Sequence, residues 1–290
     1  MAVIDTDRPA PTVRTPPLQQ PLIVISAQRG PLALRWRDLW EYRELFFFLV
    51  WRDVKVRYKQ TLLGAAWAIL QPVMAMVIFS VFFGGLAKIS SDGFPYPVFA
   101  YAALLPWQLF ATALTTSANS LIASSSMVRK VYFPRIALPV AGVLASLVDF
   151  AIAFVVLIGL MAWYRLVPTP AVLLLPLFLA QAVLTALGVG LWLSALNARY
   201  RDVRHALPFV VQFWLFATPV VYPSSLLPEP WRTLFGLNPM VGVVEGFRWA
   251  LLGSSPPSLM IGFSALVSLM LVITGVIYFQ SVERKFADVI

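Results

Sequence analysis

Apolar residues along this chain come in long blocks, not in the short alternating runs of a half-buried strand. From residue 62 onward six blocks stand out, at 62–86, 98–121, 139–163, 172–196, 207–222 and 259–279. Crossing about 30 Å of hydrocarbon takes roughly 20 helical residues, so such blocks predict membrane-spanning helices. Five meet that length. The fifth, 207–222, has only 16 residues, lies between Pro208 and Pro223 and contains Pro219. The pattern predicts an all-α membrane protein with six transmembrane helices.

Two stretches break the pattern. Segment 237–252 (LNPMVGVVEGFRWALL) is apolar but carries Glu245 and Arg248, which are costly at the bilayer centre. A re-entrant helical hairpin on the outer side, between spans five and six, accommodates it better than a seventh crossing. At i, i+3 spacing the two charges can pair on one helix face. Upstream, residues 36–60 mix Trp36, Trp40, Trp51 and Tyr58 with many charges, and the apolar run Leu45–Trp51 is too short to span. This predicts an N-terminal amphipathic interface helix over 35–61, lying at the membrane surface. Residues 1–34 hold Pro9, Pro11, Pro16, Pro17, Pro21 and Pro31 and read as a disordered Pro-rich tail, not as a cleaved signal peptide. The organisation expected is therefore tail 1–34, interface helix 35–61 and a six-span domain 62–290.

Composition sharpens the class. The 290 residues are 60% hydrophobic and 12% charged, where soluble domains carry about 25% charge. The mean hydropathy of +0.80 agrees. There is no cysteine and one histidine, His205, so thiol chemistry and His-rich metal sites are absent. Gly-Lys occurs nowhere, so no Walker-type phosphate loop exists, and no Gly-x-Ser-x-Gly elbow is present. ATP-driven work would need another chain to hold the nucleotide. The net charge of +9 would suggest nucleic acid in a soluble protein. Here the cations flank apolar spans and set orientation instead. The loops after spans two and four, the stretch from Arg43 to Lys59 and the C-terminal tail, all assigned to one side, carry 13 Lys and Arg, among them Arg129, Lys130, Arg135, Arg199, Arg201 and Arg204, against 4 on the other. The positive-inside rule then puts both termini in the cytoplasm.

Several constellations bear on function. Asp149 sits in the middle of span three on a stripe of Ala141, Ala145 and Ala153, a face that packs against another helix. It reads either as a proton or cation relay or as a structural carboxyl bonded to a neighbour. Ala182, Ala186, Gly190 and Ser194 form a second small-residue stripe, for packing or for a dimer face. The end of span two is polar, with Thr112, Thr115, Thr116, Ser117, Asn119 and Ser120. These side chains either bond their own helix or wall a hydrophilic passage. Aromatics gather on the outer half, Phe213, Phe216 and Tyr222 in span five among them. They form an interfacial belt or, in part, a surface on which sugar faces stack. The loop Met127–Arg135 (MVRKVYFPR) is basic and aromatic, and its Tyr132 and Phe133 make an apolar knob that calls for a partner surface.

Five runs appear in order: RDVKVRYKQTLLGAAWAILQP (52–72), VRKVYFPR (128–135), NARYRDVRH (197–205), TPVVYP (218–223) and LNPMVGVVEGFRWALL (237–252). With them the chain, over about 35–290, closely resembles the permease subunits of type-2 ABC exporters for cell-surface polysaccharide, which include O-antigen (lipopolysaccharide), capsule and teichoic acid export permeases. The resemblance implies a homodimer in the bacterial inner membrane, bound to two copies of a separate ABC ATPase that holds ATP and magnesium. No cofactor belongs to this chain and no nucleic acid is a partner. It implies a polysaccharide substrate on an undecaprenyl-type lipid pyrophosphate. The family's short helix between spans two and three touches the ATPase, which maps onto Arg129, Lys130, Tyr132, Phe133, Pro134 and Arg135. The family's outer gate maps onto about 224–252, with Trp231, Asn238, Pro239, Glu245 and Arg248.

On this reading Arg52, Lys55, Arg57 and Lys59 lie at the level of lipid phosphates and attract the pyrophosphate, at about 1 kcal/mol per cation, or anchor the chain to ordinary anionic lipids. Thr112, Thr116, Ser120, Phe213, Phe216 and Tyr222 are the channel-lining candidates. Rival readings are an ABC exporter of small hydrophobic compounds and an ion-coupled carrier built on Asp149. A membrane-embedded transferase has few groups here for acid–base work.

Overall fold

The structure is a computed structural model that describes residues 42–59, 64, 66–131, 133–256, 259–283 and 286. The Pro-rich tail, the first part of the expected interface helix, Tyr132, Arg284 and Lys285 lie outside the described residues.

Ten α-helices occur among them. In chain order they are α1 (Arg43–Lys59), α2 (Ala66–Phe79), α3 (Tyr96–Ala123), α4 (Ser125–Lys130), α5 (Ala137–Trp163), α6 (Leu175–Arg199), α7 (Asp202–Phe216), α8 (Glu229–Phe235), α9 (Pro239–Leu252) and α10 (Met260–Glu283). No strand occurs among the described residues. The helix α2 runs on through a π-helical stretch, Ser80–Leu86, and α6 is preceded by a 3₁₀ turn, Pro170–Leu174.

Five helical stretches are long and apolar enough to cross a membrane: Ala66–Leu86, Tyr96–Ala123, Ala137–Trp163, Pro170–Arg199 and Met260–Glu283. They match blocks one to four and six. The fifth block folds differently. Its helix, α7, starts at Asp202, stops at Phe216 and has 15 residues, about 22 Å of rise. The Pro219 predicted inside that span instead falls in the turn after it, where a missing N–H does no harm.

Helix α3 is the hub. In its most apolar window 78% of residues are buried, against 11% for Ala66–Leu86. It packs on α2, α5, α6 and α9. The small-residue stripes make these approaches possible. On α5, Ala141, Ala145 and Ala153 are all buried, and a Cβ at Gly142 would come within 2.9 Å of Thr116 Cγ2. On α6, Ala182, Ala186 and Ser194 are buried within this one chain, which assigns that stripe to internal packing. The closest backbones are those of α6 and α10. A Cβ at Gly188 would lie 2.6 Å from the carbonyl carbon of Leu271, and one at Gly275 2.5 Å from Gly188 O.

Side chains sort into two apolar clusters. The larger one joins α3, α5, α6 and α9 around Tyr101, Phe110, Phe178 and Phe247. The smaller one gathers Leu49, Leu121, Val128, Phe133, Leu138, Leu191 and Phe279, so it ties α1 and the loop after α4 to α3, α5, α6 and α10.

At Gly188 the neighbour is main chain and cannot step aside. Gly188→Leu therefore forces α6 and α10 apart, and overpacking of this kind costs about 1–3 kcal/mol. The expected outcome is a lower melting temperature of the purified protein in detergent. An unchanged melting temperature would contradict the packing described.

Candidate functional site

Helix α1 meets the bundle at its C-terminal end. Arg57 Nη1 donates to Asp149 Oδ2, and the Tyr58 hydroxyl donates to Asp149 Oδ1. Arg57 Nη2 also reaches Thr116 Oγ1 at 3.5 Å. Both oxygens of the mid-helix carboxylate are thus occupied. Five residues earlier, Arg52 pairs with Asp53 at 2.8 Å and reaches Ser124 Oγ at 3.4 Å. Ser124 and Thr116 are about 12 Å apart along α3 by helix rise. Helix α1 therefore climbs from the end of α3 toward its middle. Burial, and then the hydrogen bond to Asp149, push the Tyr58 hydroxyl above its ordinary pKa, so it remains a donor.

This junction opens on a cleft of about 340 Å³ between α1, α2, α3 and α5. Its polar wall includes Arg57, Tyr58, Gln71, Gln108, Thr112 and Asp149, and its apolar wall Trp67, Leu105 and Phe150. The polar end of α3 accordingly divides. Thr115 donates to Ala111 O at 2.8 Å, Asn119 to Thr115 O at 2.9 Å and Ser120 to Ser117 O at 2.7 Å, so these three satisfy themselves on their own helix. Thr112 lines the cleft, and Thr116 meets the Arg57 guanidinium. Ser120, expected to line a passage, is instead buried. The other lining candidates lie elsewhere. Phe213 is 77% and Phe216 49% exposed on α7, while Tyr222 hooks its hydroxyl onto Phe216 O at 3.0 Å.

The loop after α4 corrects one expectation. Arg129, Lys130 and Val131 are exposed, but Phe133 is only 5% exposed and lies in the smaller cluster against Leu49 and Phe279. It is an internal anchor rather than a knob, because the turn at Pro134 folds it under the loop. Arg135 fastens the same loop to the end of α10. Its N–H donates to Glu283 Oε1 at 3.1 Å and its guanidinium to Glu283 O.

The segment 224–252 is built around two polar side chains. Asn238 caps α9, accepting from Met240 N at 3.1 Å, and Pro239 follows at the first helical position, where a missing N–H costs nothing. The same amide accepts from Trp214 Nε1 at 2.9 Å and donates to Ala217 O and Thr218 Oγ1 at 2.9 and 3.0 Å. Arg248 is 1% exposed. It donates to Pro219 O at 2.6 Å, Val220 O at 2.7 Å and Tyr222 O at 3.4 Å, and its guanidinium carbon lies 3.6 Å from the Phe99 ring centroid. Glu245 pairs with it at 3.3 Å. The charge is thus neutralised along its own helix, as the spacing predicts, while most of its donors serve the carbonyls freed where α7 ends. Trp231, on α8, is 64% exposed.

Residues 44–252 match the model of the ABC-2 type transporter family. The chain belongs to the ABC-2 type transporter family. It is 30% identical over 258 residues to the O-antigen export system permease protein RfbA of Myxococcus xanthus, covering 87% of this chain and 97% of that one. It is 25% identical to an O-antigen export system permease protein RfbA of Klebsiella pneumoniae, over 85% and 95% of the two chains. It is 22% identical to the polysialic acid transport protein KpsM of Escherichia coli, over 80% and 91%. Two of these relatives are named as export permeases and the third as a transport protein. As an ABC-2 transporter with five apolar helices of spanning length, the protein is a multi-pass membrane protein.

Sequence pattern singles out Asp149 and Arg57 separately but does not join them, since they lie 92 positions apart. The available signal was charge balance. A lone acid in span three calls for a cation at the same depth, and the last turn of α1, with Arg57 and Lys59 beside Tyr58, is a source of one. Arg248's grip on residues 219–222 had no such signal.

Two outcomes follow from this geometry. Arg57→Ala and Asp149→Ala each leave one charge among helices without its partner, so each destabilises the protein. The double variant is expected to recover part of the loss, with a coupling of about 1–3 kcal/mol in a thermal-unfolding cycle. Simple additivity would argue against the pair. Arg248→Lys keeps the charge but not the fork of donors. It is expected to raise the protease sensitivity of residues 217–223 in detergent, with about 1–3 kcal/mol lost for each carbonyl left unbonded. Cleavage at the wild-type rate would contradict the clamp.

Proposed function

We propose that this chain is the membrane-spanning subunit of an ATP-driven exporter that moves polysaccharide, carried on an undecaprenyl-type lipid pyrophosphate, across the bacterial inner membrane. The observation that carries the reading is the end-to-end likeness to O-antigen export permeases, which leaves only 3% of the first relative uncovered. Two such chains form the channel and two copies of a separate ATPase supply the energy, since this sequence has no phosphate loop.

Six crossings fit the charge distribution. The five long helices supply five of them. Helix α7, extended by the turn that Arg248 holds, supplies the sixth, leaving α8 and α9 as a re-entrant hairpin on the outer face. Both termini are then cytoplasmic, and α1 is an interface helix that tilts into the bundle. The exposed rings of Phe209, Phe213 and Phe216 on α7 face away from this chain's own core, which suits a passage completed by a second copy.

The buried position of Phe133 supports a stiff coupling route. A push by the ATPase on Arg129, Lys130 and Val131 reaches Phe133, and through it Leu49 on α1, Leu191 on α6 and Phe279 on α10. The Arg135–Glu283 link carries the same motion to α10. Of the cations Arg52, Lys55, Arg57 and Lys59 on α1, the exposed Lys55 and Lys59 are the two left to attract the pyrophosphate at the membrane surface, because Arg52 and Arg57 are bonded to Asp53 and Asp149. The same bonds weigh against an ion-coupled carrier, whose acid must release its partners on every cycle.

Vesicles reconstituted with the permease and its ATPase test this. ATP is expected to drive uptake of lipid-linked glycan, and an ion gradient alone is not. Lys130→Glu with Val131→Glu should cut ATP-driven export about tenfold or more without lowering the melting temperature. Transport driven by the gradient alone would overturn the proposal.

A further inference from the structure

The run 197–205 has no role in the path just described, yet it builds a second cavity. Asn197, Arg201, Arg204 and His205 line a space of about 400 Å³ with Ile122 and Ser125, where the end of α3 meets the α6–α7 bend. Arg201, Arg204 and His205 are exposed. Among the described residues none of the three has an ion pair or a side-chain hydrogen bond. The nearest acid in sequence, Asp202, is exposed and does not line the cavity. Three side chains that can carry or donate positive hydrogen thus converge with nothing to bind.

Two further features shape the site. Helix α7 begins here with Arg201 as its N-cap, and no side chain caps it. Its first N–H groups therefore lack side-chain acceptors, and its dipole favours an anion. Asn197 is 1% exposed and lies at the cavity wall. Its Nδ2 donates to Ala118 O at 3.0 Å and to Asn119 Oδ1 at 3.1 Å. Both neighbours are acceptors, so the amide cannot be turned round. Its Oδ1 has no partner, and a buried acceptor left so costs about 1–3 kcal/mol.

A bare anion answers the cations but not Asn197, whose oxygen would repel it. The site asks for a phosphate that carries a hydroxyl donor beside it. We propose that this pocket binds the phosphate–sugar headgroup of a lipid-linked glycan, with Arg201, Arg204 and His205 on phosphate oxygens and a sugar hydroxyl donating to Asn197 Oδ1. This rests on the polysaccharide reading and places substrate recognition in the α6–α7 bend. An acidic segment of the ATPase is the competing occupant, but a concave space of this size suits a headgroup better than a protein surface.

The test uses the full-length permease with its ATPase in nanodiscs and three probes: farnesyl diphospho-N-acetylglucosamine, farnesyl diphosphate and UDP-N-acetylglucosamine. The wild type is expected to bind the first at least tenfold more tightly than either of the others. Arg201→Gln with Arg204→Gln should weaken both farnesyl probes tenfold or more, and Asn197→Ala should erase only the preference for the sugar. Because Asn197→Ala removes a buried bond, the wild-type preference stands as the independent measure if that variant misfolds. Equal affinity for the two farnesyl probes overturns the hydroxyl assignment, and equal affinity for UDP-N-acetylglucosamine overturns a lipid-linked source. Unchanged probe binding in the double arginine variant, with the ATPase lost on purification, would make the pocket a subunit dock and overturn the proposal. Headgroup binding without ATP-driven export in wild-type vesicles would instead sink the parent reading and leave the pocket standing.

Discussion

A carboxylate in the middle of a membrane helix is the constraint around which one side of this protein is arranged. Left alone, Asp149 would be a polar group with no partner among apolar side chains, which is costly. Instead α1 is drawn up against α5 until Arg57 and Tyr58 reach both of its oxygens. That one requirement sets the tilt of α1, brings Thr116 into the same group and opens the cleft between α1 and α2. Neither partner can be removed without exposing the other, so the pair acts as a lock on where α1 docks and less as a source of net stability.

Arg248 solves a different problem by similar means. A helix that stops inside a bundle leaves carbonyls with no N–H to meet. Helix α7 stops after 15 residues, and the guanidinium of Arg248 reaches the carbonyls of Pro219, Val220 and Tyr222 beyond it. A planar fork of donors suits several carbonyls at once in a way that an ammonium does not. The irregular segment is thereby held without a continuous helix, and a hold of that kind suits the outer hairpin proposed above.

How much of this was legible beforehand depends on range. Block length and apolar content located five of the long helices, because a spanning helix is specified by its own residues. The stripes on α5 and α6 were readable for the same reason, since small residues at four-residue spacing define a face whatever packs on it. The short α7 was flagged by Pro208, Pro219 and Pro223, though its true start at Asp202 was not. What stayed hidden were side-chain meetings across long separations: Arg57 with Asp149, Arg135 with Glu283, Arg248 with the 219–222 backbone. Phe133 misled for the same reason. An aromatic in a basic loop is exposed only if the loop fails to fold over it, and periodicity carries no information about that.

The basic residues can now be sorted by what they do, which the net charge alone does not allow. Arg52, Arg57, Arg135 and Arg248 are architecture, each bound to a carboxylate or to main-chain oxygen of this same chain. Lys55, Lys59 and Lys130 stand exposed along the face assigned to the cytoplasm. Arg201, Arg204 and His205 belong to neither group, for they are gathered around a cavity and beside a helix end that already favours an anion. Orientation by the positive-inside rule needs only cations in short loops, in any arrangement. It does not need them to converge, nor to leave a buried amide oxygen waiting beside them. Convergence is the property that separates a binding site from a topology signal, and in this chain it occurs where α6 turns into α7.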